Sequence, residues 1–235
     1  MLVDDEILID SGSGVGDLTL DEMAKIRHVF LTHSHLDHVT FLPLLVDSIF
    51  ERIDTPIVIH ALPATIQALR EHVFNWAIWP DFAKLPVVDK PVMTYHEHHA
   101  GDVVEVEGKR FELISMNHIV PTVGYRVESD DGASFAFTGD TTTNDTFWEV
   151  VNRHKKLSML ILEVAFSNKY EALSNSARHY CSKTMIEDLA KLEIETDTYL
   201  THHKPDEHDL IRSEIDELLP GNSIKQLKNN DRFTL

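Results

Sequence analysis

"HVFLTHSHLDHVTFLPLL", residues 28–45, places His33, His35, Asp37 and His38 within six positions. An apolar run over 29–31 comes first, and a second apolar segment follows. The stretch reads as a buried strand over 28–32 that turns into a helix over 36–52. Side chains at i and i+2 of a strand point the same way, which predicts that His33 and His35 grip one ion together. Asp37 and His38 lie past the turn, point elsewhere and are predicted to serve a second ion. A carboxylate near a helix N-terminus is electrostatically favoured. The same positive end disfavours an imidazolium and keeps His38 neutral. Neutral imidazole with carboxylate suits zinc, manganese or iron. Coordination would take up lone pairs whose burial is otherwise costly. The bland alternative, a histidine-rich solvated loop, leaves the flanking apolar strand and helix unexplained.

Composition narrows the function classes. The chain has 235 residues, 43% of them hydrophobic, and 15 histidines. That is enough for a sizeable core. A formal net charge of −18 disfavours a nucleic-acid groove, which needs a basic patch. A small anionic substrate stays compatible if metal supplies positive charge. The single cysteine, Cys181, excludes an intramolecular disulfide and a multi-cysteine zinc cluster; it reads as a small packing residue near a helix start. No apolar run reaches the roughly 18 residues of a transmembrane helix, so no membrane partner is expected. The acidic start "MLVDDEILID" has no signal-peptide pattern. A reducing, cytoplasmic setting is the expectation.

Along the chain there is no internal repeat, low-complexity tract or long linker, so residues 1–235 read as one domain. "EILID" (6–10) is a short strand ending in Asp10, followed by a flexible "SGSGVG" turn. "PIVIH" (56–60) is a strand, and "ATIQALREHVF" (64–74) has the apolar spacing of a helix. Strands with Gly-Asp and Asp-Gly turns follow from about 92 to 138. Helices are predicted near 144–155, 181–192 and 206–219, alternating with strands at 158–164, 197–202 and 223–228. Antiparallel and alternating patterns together predict an α/β architecture of two mixed sheets packed face to face with helices outside.

The H-x-H-x-D-H pattern resembles the signature of the metallo-β-lactamase superfamily, whose fold is an αββα sandwich. Further motifs resemble that family in order. "ILIDSGSG" implies that Asp10 orients the ligands. "SMNHIVPTVGYRV" implies His118 as a third ligand of the first ion, and "FAFTGDT" implies Asp140 as the bridge between two ions. "TYLTHHKP" supplies the last ligand, His202, with His203 as its rival. The resemblance implies two divalent ions, with zinc foremost and manganese or iron as alternatives. The family usually places one or two strands ahead of its first motif. Here the chain starts almost at that motif, so either it is a piece of a longer protein or its first sheet is short of an edge strand.

"REHVFNWAIWPDF" (70–82), "LEVAFSN" (162–168) and "THHKP" (201–205) are similar to segments of the class II 3′,5′-cyclic-nucleotide phosphodiesterases. That resemblance implies hydrolysis of a cyclic nucleotide, cyclic AMP foremost, to the 5′-monophosphate, with Asp37 in the catalytic set. Glu163 and His179 resemble the Glu–His pair of the tRNA-3′-processing nucleases, although the glycine usual before that histidine is absent. His179 is assigned proton donation to the leaving oxygen, oriented by Glu163; a surface histidine is the alternative. Asn75 either caps a turn or touches substrate. Trp76, Trp79 and Phe82 either stack on a base or pack in the core or a homodimer contact. Thr122 and Tyr125 either line the pocket or serve their strand. His60, His72, His96, His98, His99, His154 and His208 have no place in the family pattern and are expected to be exposed. The competing readings are a tRNA-processing type nuclease, a thioester or lactone hydrolase of the same fold, and a non-catalytic metal-binding scaffold.

Overall fold

Short apolar strands and capped helices set up two sheets. The computed structural model describes residues 1–235 throughout. The chain forms two compact units, Met1–His99 and Ala100–Leu235.

The first unit holds β1 (Leu2–Val3), β2 (Ile7–Ile9), β3 (His28–Phe30), β4 (Ile57–Ala61), β5 (Pro86–Val87), β6 (Lys90–Pro91) and β7 (Met93–Glu97). Its main sheet runs β1-β2-β3-β4-β7, and β5 and β6 form a separate ribbon. Only β1 and β2 are antiparallel within the main sheet. An edge strand, though only two residues long, thus precedes the Asp10 segment. Register sorts the side chains into two faces. Leu8, Val29 and Ile59 form one row, which packs with Leu42, Leu45, Val46, Ile49, Ile66 and Leu69. Each such burial stabilises by roughly 1.5–3 kcal/mol. On the opposite face, Ile9, Phe30, His60 and His96 are successive register partners.

Four helices belong to this unit: α1 (Leu20–Met23), α2 (Leu36–Val39), α3 (Leu42–Ile49) and α4 (Pro63–His72). Thr19 and Glu22 close a capping box on α1. The predicted single helix over 36–52 is two helices. The Phe41 N–H donates to the Ser11 carbonyl at 2.9 Å, so the helical ladder is interrupted there. Pro43 then sits in the first turn of α3, where its missing N–H costs nothing.

The second unit holds β8 (Val103–Val106), β9 (Lys109–Met116), β10 (Thr122–Ser129), β11 (Ser134–Phe137), β12 (Met159–Glu163), β13 (Asp197–Thr201) and β14 (Lys225–Gln226). They form one sheet in the order β14-β13-β12-β11-β10-β9-β8. It is antiparallel from β8 to β11 and parallel from β11 to β14. The β8–β9 turn places Glu107 and Gly108 at φ 46° and 69°, as a tight hairpin with right-handed strand twist requires. Helices α5 (Asp145–Asn152), α6 (Glu171–Ala177), α7 (Ser182–Leu189) and α8 (His208–Leu218) complete the unit. Leu160, Leu162 and Leu200 pack with Phe147, Val151, Met185, Ile211 and Ile215.

Asp188 on α7 ties this core together. Its carboxylate accepts from the Tyr180 hydroxyl at 2.6 Å, the Asn144 N–H at 2.8 Å and Trp148 Nε1 at 3.2 Å. Lys191 Nζ lies 2.6 Å from its other oxygen. Burial pushes the carboxyl upward, but the bonds from Lys191, Tyr180, Asn144 and Trp148 outweigh it and hold it below the usual range. No helix is long and apolar enough to cross a membrane.

Candidate metal centre

In the first unit the candidate ligands lie on the loop after β3 and on the short helix α2 that follows it. Strand β3 ends at Phe30, so His33 and His35 lie beyond the pleat rather than at its last positions. Strand alternation therefore does not bring them together; the loop does. Their ring centroids are 4.6 Å apart, and those of His33 and His38 are 4.2 Å apart. His33 is fully buried and His38 nearly so. His35 is the residue before α2. Asp37 is exposed in the first turn of α2, with Oδ2 3.9 Å from His38 Nε2.

Asp10 organises the loop. It sits at φ 57°, in the left-handed region, and its carboxylate turns toward the ligand segment. Thr32 donates to it through the backbone N–H at 2.8 Å and through the hydroxyl at 2.9 and 3.0 Å. His38 Nδ1 donates to Asp10 Oδ2 at 2.7 Å. Burial raises the Asp10 carboxyl, but His38 and the Thr32 bonds more than compensate and leave it below the usual range. The Ser11 N–H donates to the His38 carbonyl at 2.7 Å. A Cβ at Gly12 would run into the Asp37 carbonyl oxygen, so only glycine allows this approach.

In the second unit the candidate ligands come from several strand ends. His118 follows β9, Asp140 follows β11, Glu163 ends β12 and His202 follows β13. His118 Nε2 is 3.8 Å from Asp140 Oδ2, and His202 Nε2 is 3.5 Å from Asp140 Oδ1. One carboxylate thus turns a different oxygen toward each imidazole. His202 adopts φ 67°, which aims its ring away from the path of β13. His203 instead points Nδ1 at the Val164 carbonyl, 2.7 Å away.

Glu163 and His179 stand beside these groups. His179 Nδ1 donates to Glu163 Oε1 at 2.8 Å, and the Thr141 N–H donates to the same oxygen at 3.0 Å. One donor atom from each of Asp140, Glu163, His179 and His202 lies within 4.8 Å of the others. Burial, then the negative charge of Asp140, pushes the Glu163 carboxyl up to about 8. His179 and His202 stack with centroids 5.3 Å apart.

The donor chemistry fits divalent metal. His38 gives Nδ1 to Asp10, and His118 gives Nδ1 to the Arg178 carbonyl at 3.0 Å. His33 Nδ1 faces the Thr32 hydroxyl at 3.0 Å. Each of these histidines has its outer nitrogen engaged and its Nε2 as the remaining ligand atom, the arrangement of metal-binding histidines. The Asp140 spacings exceed hydrogen-bond length and suit a ligand pair about an ion with bonds of about 2.0–2.2 Å.

Other predicted residues take structural positions. Asn75 caps a turn: Oδ1 accepts from the Ala77 and Ile78 N–H groups, and Nδ2 donates to the Glu71 carbonyl. Phe82 is in the core and Trp79 packs against it, whereas Trp76 is 59% exposed. Thr122 bonds the Val120 carbonyl through its hydroxyl, and Tyr125 packs edge-on to Phe111. His60 and His98 are buried rather than exposed: sheet register sets His60 beside Phe30, which stacks on it, and the His98 N–H is held by the Ala61 carbonyl. His154 is half-buried beside Glu112, while His72, His96, His99 and His208 are exposed as expected. Thr32 and Arg178 were not anticipated. Thr32 lay inside the decisive stretch, but nothing in the lettering distinguished its hydroxyl. Arg178 holds the His118 ring through its main-chain carbonyl, which carries no sequence signal.

The model of the Beta-lactamase superfamily domain matches residues 6–203. The chain belongs to that superfamily. Among curated superfamily relatives, the probable 3′,5′-cyclic-nucleotide phosphodiesterase of Yersinia pestis is 26% identical over 186 residues, covering 72% of this chain and 52% of that protein. The ribonuclease Z of Methanopyrus kandleri is 31% identical over 127 residues, covering 53% of this chain and 40% of its own. The chain spans about half the length of the phosphodiesterase relatives it matches. Among solved structures, the metallo-beta-lactamase fold protein YhfI of Bacillus subtilis aligns with TM-score 0.76 at 18% identity, over 97% of this chain and 87% of its own. Unliganded yeast PDE1 aligns with TM-score 0.77 at 21% identity, over 89% and 69%. The α/β fold with mixed sheets is thus that of the metallo-β-lactamase proteins.

Proposed function

We propose that residues 1–235 act as one catalytic domain of a metal-dependent phosphodiesterase that hydrolyses 3′,5′-cyclic nucleotides, cyclic AMP foremost, to 5′-nucleotides. The proposed ligands are His33, His35, Asp37, His38, His118, Asp140 and His202. The observation that carries this reading is the Asp140 carboxylate, with one oxygen toward His118 and the other toward His202. The likeness to the Yersinia pestis relative supports the substrate class, as do the Phe-Asn and Trp-Pro motifs over 70–82. Two divalent ions, zinc foremost by the donor set, would supply the positive charge and activated water that phosphodiester cleavage needs.

The chain's own groups do the rest. Asp10 and the Arg178 carbonyl fix the tautomers of His38 and His118. Glu163 holds His179 by Nδ1, so Nε2 is the nitrogen left to hand a proton to the departing O3′. Bound metal would supply local positive charge for a small anionic substrate on a chain of formal net charge −18. A long polyanion would meet the acidic surface without that help.

Purified protein assayed on 3′,5′-cyclic AMP, 3′,5′-cyclic GMP, a 2′,3′-cyclic nucleotide, a precursor tRNA and bis-p-nitrophenyl phosphate tests the proposal. Preference for the 3′,5′-cyclic substrates is expected. Cleavage of the tRNA alone would move the chain to the nuclease reading, and activity on the generic ester alone would remove the cyclic-nucleotide assignment.

A further inference from the structure

We propose that His60, His96 and His98 form a further binding site for a first-row divalent cation of the zinc type, using none of the residues assigned above. His60 on β4 and His96 on β7 are register partners in a parallel pair, so their side chains share a face. His98 lies just past the end of β7 and is fixed by its N–H to the Ala61 carbonyl at 3.0 Å; its ring centroid stands 5.1 Å from that of His60 and 4.9 Å from that of His96. One ring nitrogen from each of the three lies within 4.8 Å of the others.

The geometry within the group suits ligation. His60 Nδ1 and His98 Nε2 are 2.9 Å apart. Two nitrogens on one tetrahedral zinc, each bonded at about 2.0–2.1 Å, stand about 3.4 Å apart, so opening this pair by roughly half an ångström admits the ion. The other nitrogen of His60, Nε2, is 2.9 Å from His28 Nδ1. With Nδ1 as ligand, the His60 proton sits on Nε2 and is donated to His28, the outer bond that ligating histidines make. Phe30 stacks on His60 at 4.2 Å and 6° and fixes the ring plane. His60 and His98 are buried, and His96 is exposed, which leaves a route for the ion from solvent. An all-imidazole donor set favours zinc, copper or nickel over magnesium or calcium.

The competing account is a hydrogen-bonded chain from His28 through His60 to His98, and His96 separates the two. The chain has no use for His96, whereas the cation site does. The full chain and its His96→Ala variant would be loaded with zinc, desalted and analysed for metal per chain. The wild type should retain one ion more than the variant, while turnover of 3′,5′-cyclic AMP changes less than twofold. Cobalt loading gives a second readout: the wild type minus H96A difference spectrum should show visible d–d bands. Equal ion counts or a flat difference spectrum overturn the site. Both readouts are differences, so they hold whatever number of ions the catalytic ligands bind. His96 is exposed, so its truncation leaves the fold in place, which an unchanged Tm would verify.

Discussion

The two units hold their candidate ligands in opposite ways. In the first, His33, His35, Asp37 and His38 ride one loop and the short helix α2 after it, stitched from beneath by Asp10, Ser11 and Gly12. In the second, His118, Asp140, Glu163 and His202 come from strands β9, β11, β12 and β13 and meet only because the sheet register is correct. The first arrangement is local, and its failure modes are local. The second is a product of the whole sheet, so it is sensitive both to single ligands and to the core beneath them.

Asp140→Ala gives the sharpest break, since Asp140 is the group on which both neighbouring histidines converge. Turnover of cyclic nucleotide should fall by about 10³-fold, with bound metal reduced on elemental analysis. Retained activity would dissolve the idea of a shared carboxylate. His179→Ala should lower turnover about 10²-fold with metal content intact. Loss of metal instead would make His179 a ligand, and unchanged turnover would remove it from the chemistry.

Stability measurements probe the dependence of the second unit on its core. Asp188→Asn leaves Asn144, Trp148 and Tyr180 sharing a weaker acceptor and Lys191 with Asp145 alone as its counter-charge. A loss of about 3 kcal/mol is expected, read as a lower Tm or denaturation midpoint. The sign with pH follows from the depressed carboxyl. Its stabilisation is complete above the unfolded value of about 3.9 and disappears as pH falls through the lower folded value. Wild type and variant should therefore converge in acid; a constant gap down to pH 2 would be the contrary result. Gly12→Ala tests the first unit. A methyl driven toward the Asp37 carbonyl should cost about 1–3 kcal/mol and lower metal retention, leaving far-UV circular dichroism unchanged. Trp76→Ala should be the mildest, within about 0.5 kcal/mol of wild type, because the ring is exposed. A raised KM there would mark it as a substrate contact.

Legibility in the sequence follows the same division. The ligand loop was readable because its parts are contiguous and bracketed by apolar runs. The strand ends at Asp140 and His202 were readable only through resemblance, since spacing alone does not link residues 62 positions apart. Helix α6 escaped notice because Glu171–Ala177 is short and mostly polar, with only Ser174 buried. The break between α2 and α3 was invisible because its cause, the Ser11 carbonyl, lies thirty residues upstream in the chain. His60 and His98 looked like surface residues because burial in a sheet depends on which neighbour each strand acquires. "YHEHHAGD" says nothing about β4.

His38 and His118 also differ in how their orientation would survive sequence drift. Asp10, the acceptor for His38, is a side chain, and a single codon change abolishes it. Arg178 offers His118 its main-chain carbonyl and donates Nη1 back to the His118 carbonyl at 2.9 Å. Every amino acid carries that carbonyl, so Arg178 can be exchanged and His118 still keeps its tautomer, provided the left-handed bend at φ 54° persists. Inheritance at this position therefore acts on chain curvature more than on residue identity, and glycine or asparagine would be the least disruptive replacements.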